Sequence, residues 1–184
     1  MENERRKVLH YDYTDKEIKA LLSTATILVD TREQQNSHIT DYLTKKKVPF
    51  LSKKLDYGDY SIMIPANEPL GIQRDLYFSD EIAIERKASL DELANNLTAD
   101  RTRFEDEMLR SKDCKVLLML ENCGYVDIIG HKYRSKYEPK SYIATLASYT
   151  ARFNLNVNFI AKSAAGNFIY YNLLYHVRNY LLGR

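Results

Sequence analysis

Glu81-Ile82-Ala83-Ile84-Glu85-Arg86-Lys87 is apolar in its middle and charged at its end. An apolar run this short reads as a strand. Side chains two apart on a strand share a face, so Glu85 and Lys87 point one way and Arg86 the other. Upstream, Gly58-Asp59-Tyr60 opens a strand running Tyr60–Ile64, and Thr26-Ile27-Leu28-Val29-Asp30 is a brief apolar run closed by a carboxylate. Three strands therefore carry an acid at or beside an end: Asp30, Asp59 and Glu85.

Helices fill the spaces between these strands. Thr14 and Glu17 have capping-box spacing and open a short helix to about Ser23. Ile39, Tyr42 and Leu43 give the i, i+3, i+4 face of a helix that ends near Lys47. Residues 48–51 start a second strand, and residues 65–80, with two Pro and one Gly, read as a long surface excursion. Ser89 and Glu92 repeat the capping spacing and start a helix expected to reach Lys112, with a break near Ala99-Asp100. Lys115–Glu121 is a strongly apolar strand, and Pro139 begins an amphipathic helix to about Phe153. Residues 156–160 are a last strand and 164–182 a final helix, whose apolar face is expected at Phe168, Tyr171, Leu174, Tyr175, Val177 and Leu181. Strands alternating with helices predict an α/β domain with a mixed central β-sheet flanked by helices. There is no internal repeat, so one domain is expected over 27–184, behind an arm and short helix over 1–26.

The bulk numbers limit the function classes. With 45% apolar residues the chain can bury a sizeable core. A net charge of +2 does not announce a nucleic-acid binder, so any basic surface must be local. The polar start lacks the apolar core of a secretory signal, and no apolar stretch is long enough to span a bilayer. Cys114 and Cys123 match no metal-ligand spacing, and a reduced, cytosolic context is the simplest reading. Fifteen Tyr and no Trp suit half-buried packing faces.

Each acidic piece has an ordinary reading alone: a turn residue, a strand opening, a solvated strand end. Together they carry a chemistry. Hard cations such as Mg²⁺ or Mn²⁺ take oxygen ligands, usually one or two protein carboxylates plus waters and phosphate oxygens. A carboxylate on one strand and a Glu-x-Lys on its neighbour are the minimal kit for phosphodiester hydrolysis. The acids hold the metal, and Lys87 positions the attacking water, favours hydroxide or meets charge on the phosphorane-like transition state.

A longer match narrows this. Val29-Asp30-Thr31-Arg32-Glu33, Gly58-Asp59-Tyr60 and Ile84-Glu85-Arg86-Lys87, with Asp91 four residues on, resemble the signature of the XPF-type structure-specific nucleases. The resemblance runs from about Ile27 to Leu182. It implies a restriction-endonuclease-like fold and Mg²⁺- or Mn²⁺-dependent cutting of branched DNA such as flaps and forks, in recombination, repair or replication. It further implies Asp59 and Glu85 as metal ligands, the main-chain carbonyl of Arg86 as a third, Lys87 as the catalytic lysine, and Asp30 as a ligand through water or at a second site. Glu33, Arg86 and Asp91 are implied as supporting residues, Arg86 through an ion pair or an approach to DNA. Asp91 also sits in the first turn of a capped helix, where a negative charge is favoured anyway.

Two departures bear on substrate choice. The spacer between Asp59 and Glu85 is long, and no pair of helical hairpins follows the closing helix. A short stand-alone form would suit a phage or mobile-element protein, in the cytoplasm of a bacterial or infected cell, or in the nucleus of a eukaryote. His131-Lys132-Tyr133-Arg134-Ser135-Lys136-Tyr137 interleaves cations with aromatics, as phosphate contacts and base-stacking platforms would, although a plain soluble loop reads the same way. Arg101 and Arg103 are a second candidate phosphate clamp, with helix-surface pairing to Glu105 and Glu107 as the alternative. A homodimer would form through the C-terminal helices. Two other readings stand beside the nuclease: a catalytically silent DNA-binding or scaffold partner, and a nuclease of this fold acting on Holliday junctions or RNA.

Overall fold

Alternate residues of the central strands go to opposite apolar clusters. In the computed structural model, which describes residues 13–183, β5 (Ile82–Lys87) sends Ile82 and Ile84 to one side and Ala83 to the other. β6 (Lys115–Glu121) does the same, with Leu117 and Met119 on the first side and Val116, Leu118 and Leu120 on the second. Helices α1 (Asp15–Ser23), α2 (Ser37–Lys45) and α7 (Ala165–Leu181) cover the first side through Leu21, Ile39, Leu43, Ile169 and Leu173. The second side is covered by α3 (Leu90–Leu97), α4 (Arg101–Arg110), α5 (Tyr125–Ile129) and α6 (Pro139–Phe153), through Leu93, Phe104, Ile128 and Tyr142. The arm expected over 1–13 lies outside the described residues, Tyr13 excepted.

The remaining strands are β1 (Thr26–Val29), β2 (Phe50–Ser52), β3 (Tyr60–Ile64), β4 (Leu76–Tyr77) and β7 (Asn156–Ile160). The sheet order is β2-β1-β3-β5-β6-β7, with β4 added to β3. β3 runs antiparallel to β1, β4 and β5, and the pairs β1–β2, β5–β6 and β6–β7 are parallel. This is the mixed, helix-flanked sheet expected. One register detail places the site. β6 accompanies β5 from Ile82 to Lys87, whereas β3 meets β5 only at Tyr60 opposite Ile84. Beyond Ile84 the end of β5 has lost its second neighbour.

Several local expectations shift. Strand β2 begins two residues late because Lys47 takes a left-handed turn, φ 56°, and the Val48 N–H still caps the preceding helix at Leu43 O. The 65–80 excursion carries the two-residue strand β4, and α5 was not expected at all. At α3 the Ser89 hydroxyl accepts the Glu92 N–H, but the Glu92 carboxylate reaches Ala88 N instead of closing the box on Ser89. Helix α7 is rotated relative to the expected face. Ile169, Leu173 and Val177 are buried, while Tyr171 and Tyr175 are 45% and 54% exposed. The helix is apolar nearly all round, so periodicity could not choose its inward side. Close approach chose it: a Cβ on Gly166 would lie 2.7 Å from Tyr42 of α2. Among the described residues no helix is long and apolar enough to cross a membrane.

Candidate active site

Asp59 occupies the gap beside the end of β5. Its N–H donates to Ile84 O at 2.9 Å, and its carbonyl accepts the Asp30 N–H at 2.8 Å. Its Oδ2 accepts the Arg86 N–H at 2.8 Å, so a carboxylate stands where a neighbouring strand would have offered a carbonyl. Gly58 makes this approach possible. Its φ is +70°, and a Cβ there would lie 2.9 Å from Ala83 Cβ. Gly58→Ala is therefore expected to destabilise the fold by about 1–3 kcal/mol, a drop of several degrees in thermal midpoint. An unchanged midpoint would show that the turn is not fixed as described.

Glu85 and Lys87 leave β5 on the same side as Ala83, towards α3 and α4. Lys87 Nζ lies 2.6 Å from Glu85 Oε1, 3.9 Å from Glu92 Oε1 and 5.5 Å above the Phe104 ring. Burial, then the charge of Glu85, push the Asp59 pKa well above the carboxylate range, against the pull of the Arg86 N–H and Lys87. Glu85 is raised first by burial and further by Glu107 and Glu92, with Lys87 opposing. Burial pulls Lys87 down, but Glu85, Asp59 and Glu92 outweigh it and hold the ammonium above an ordinary lysine. Two crowded carboxylates and one amine thus leave this pocket short of positive charge.

Arg86 goes to the opposite side, as strand alternation requires. Its Nε and Nη2 donate to the two carboxylate oxygens of Glu121, both at 2.9 Å, and Nη1 reaches Glu33 at 3.1 Å. His38 Nε2 lies 2.7 Å from Glu121 Oε1. Of the two roles read for Arg86, the structure displays the ion pair. Glu121 and His38 were missed in the sequence, yet Glu121 had the signal used for Asp30: a carboxylate closing an apolar strand. Burial raises Glu121, but its bonds to Arg86 and His38 prevail and leave it below the usual carboxylate range.

Asp30 is turned to other partners. Its carboxylate accepts the Arg32 N–H, Nε and Nη2 and the Leu55 N–H, at 2.7–3.2 Å. These bonds outweigh its burial and keep its pKa low. Asp30 thus ties Arg32 and the segment after β2 to the site. Asp91 is also engaged away from Lys87: its Oδ1 accepts the N–H groups of Arg134 and Ser135, each at 2.8 Å, and so holds the 131–137 loop.

That loop does not present its tyrosines as free platforms. Tyr133 donates its hydroxyl to Tyr137 O at 2.7 Å, and both rings pack on buried Tyr142, 5.3 and 5.5 Å away. Its cations stay outside: Lys132 beside Asp127 at 3.1 Å, Arg134 beside Asp91 at 3.5 Å, and Lys136 exposed. Arg101 pairs with Glu105 at 3.0 Å, as helix-surface spacing allows, and Arg103 lies 3.8 Å from Asp100.

The donor set at Asp59 and Glu85 suits a hard divalent cation. Among the described residues no three His, Cys, Asp or Glu side chains form a complete metal cage. Two carboxylates with waters and phosphate oxygens are what Mg²⁺ ordinarily uses, and Asp59 and Glu85 are under mutual repulsion that a cation would relieve.

Comparison with known proteins bears on the family and the fold. The ERCC4 domain model matches residues 29–172, which takes in every strand from the end of β1 onward. Among solved structures, XPF from Aeropyrum pernix is similar at TM-score 0.57 and 20% identity, covering 80% of this chain and 59% of that one. XPF from Aeropyrum pernix in complex with DNA is similar at TM-score 0.55 and 20% identity, with 82% and 63% covered. The chain therefore spans about three fifths of those proteins. No match was found among curated proteins. The architecture is that of a restriction-endonuclease-like, XPF-type nuclease domain, and with the matched model spanning most of its length, the chain belongs to the ERCC4 domain family.

Proposed function

We propose that this chain is a Mg²⁺- or Mn²⁺-dependent endonuclease that hydrolyses phosphodiester bonds in branched DNA, such as flaps, forks and junctions, in recombination, repair or replication. The observation that carries it is the pairing of Asp59 and Glu85 at one strand end with Lys87 at 2.6 Å from Glu85. Asp59 and Glu85 would hold the cation, with the main-chain carbonyl of Arg86 a third donor. When bound, the cation polarises a phosphoryl oxygen and makes a metal-held water more acidic.

The chain's own residues account for the rest. Lys87 stays protonated at neutral pH, because its carboxylate neighbours outweigh its burial. It therefore serves as a hydrogen-bond donor and positive charge, orienting the attacking water and meeting charge on the transition state. Asp30 acts through Arg32, whose exposed guanidinium it holds in place beside the site. Arg101, Arg103, Lys132, Arg134 and Lys136 remain the candidate phosphate contacts, and Tyr133 contributes by shaping their loop. The solved relative in complex with DNA supports DNA as the substrate class. A homodimer would use the exposed Tyr171 and Tyr175 of α7. The cell compartment follows the source: bacterial or phage-infected cytoplasm, or a nucleus.

The test is a labelled panel of flap, fork, four-way junction, plain duplex, single strand and RNA, with Mg²⁺, Mn²⁺ or EDTA. Cutting of a branched DNA with either metal, and none in EDTA, is expected. If no substrate is cut, the silent-partner reading takes its place.

A further inference from the structure

Helix α4 has an outer and an inner flank, and one of its acids is on the inner one. Exposed Arg101 pairs with half-buried Glu105, which turns towards α6 and accepts the hydroxyl of buried Tyr149 at 2.7 Å. Phe104 and Met108 are buried. Glu107, three residues after Phe104, shares that inward side. It does not pair with Arg103, as surface spacing allows. Its Oε1 instead accepts the Gly58 N–H at 3.1 Å, across 49 residues of sequence.

The position of that bond matters. Gly58 is held at φ +70° with no room for a Cβ beside Ala83, and the next residue is Asp59. The left-handed turn leaves its N–H outside the strand ladder, and Glu107 supplies the acceptor. The same helix places Phe104 under Lys87. Helix α4 thus touches both halves of the site: the turn that aims Asp59 and the ring below the lysine. Glu107 also adds negative charge to that of Asp59, Glu85 and Glu92, felt at Glu85.

We propose that Glu107 is a positioning residue of the catalytic centre, fixing the Gly58-Asp59 turn by hydrogen bond and strengthening cation binding by charge. This rests on the nuclease reading above, and its two parts separate in two variants. Glu107→Gln keeps an oxygen for the Gly58 N–H but removes the charge. Glu107→Ala removes both.

The experiment measures single-turnover cleavage of a labelled flap across a Mg²⁺ titration, and the rise in thermal midpoint across a Mn²⁺ titration without DNA. Glu107→Gln should cut within about 3-fold of wild type at saturating metal, but need several-fold more metal for half-effect in both titrations. Glu107→Ala should lose about 10-fold or more in rate at saturating metal, as a displacement of Asp59 by a fraction of an ångström would cause. Asp106→Ala, on the exposed side of the same helix, should change neither readout. Wild-type behaviour of Glu107→Ala refutes the proposal. So does a Glu107→Gln variant as slow as Glu107→Ala with unchanged metal demand, since only bulk damage to the fold would explain it. If wild type cuts nothing, the nuclease reading fails, while the Mn²⁺ midpoint titration still decides whether Glu107 strengthens a cation site.

Discussion

Asp59→Asn is expected to abolish cutting and to make the protein more stable. The activity loss should be about 10³-fold, some 4 kcal/mol of transition-state stabilisation, because the carboxylate proposed to hold the cation becomes a neutral amide. The stability gain follows from linkage. Asp59 has a folded pKa raised by burial and by Glu85. The folded state then holds its proton more tightly than the unfolded chain does. Stability falls as pH rises from the unfolded value, about 3.9, through the folded one, and above that the full penalty remains. At pH 7 the amide escapes the penalty and can still accept the Arg86 N–H. A rise in midpoint of a few degrees is expected, with no gain at pH 3.5, and wild type should recover part of it on adding Mg²⁺. A midpoint that falls on substitution would mean that Asp59 is already well paired.

Arg86→Ala should act in the opposite way, as a large loss of stability. It strips the guanidinium from Glu121, 2% exposed, leaving His38 as its remaining side-chain partner, and from Glu33 beside it. Breaking a buried pair from one side costs about 3–5 kcal/mol, because the other charge stays buried and uncompensated. At 2–4 °C per kcal/mol for a chain of this size, the midpoint should drop by roughly 10 °C. The pH dependence has a definite sign. Glu121 has a depressed folded pKa, so its contribution is present above the unfolded value and lost as pH falls through the folded one. The gap between wild type and Arg86→Ala should therefore be widest near pH 7 and shrink towards pH 3. A gap below about 1 kcal/mol at neutral pH would mean that the network behaves like a surface ion pair. Lysine should restore little, since it cannot reproduce the two-pronged contact with Glu121.

The side-chain arrangement of β5 was legible because strand alternation is rigid. Once residues 82–87 are read as a strand, Glu85 and Lys87 must share a face and Arg86 must oppose them, and they do. The sheet's mixed character and most element boundaries followed from apolar runs and caps, including the break between α3 and α4. What stayed hidden was tertiary. Nothing local says that Glu107 turns inward to Gly58, or that Glu121 answers Arg86 from the next strand. Asp91 read as a helix-start charge because its true partners lie more than forty residues away in the 131–137 loop. The inward face of α7 was illegible because its composition is apolar all round, and Gly166 against Tyr42 decided it. The tyrosine-rich loop looked like a stacking platform for the same reason: sequence shows the rings but not the Tyr142 beneath them.

The central claim is that Asp59 and Glu85 form a cation-dependent hydrolytic centre with Lys87. Single-turnover cleavage of a labelled flap by wild type and Asp59→Asn, each in Mg²⁺ and in EDTA, tests it most directly. Cutting is expected only by wild type and only with metal, while the variant stays folded at an equal or higher midpoint. Cutting in EDTA, or by a folded Asp59→Asn variant at a rate near wild type, would contradict it.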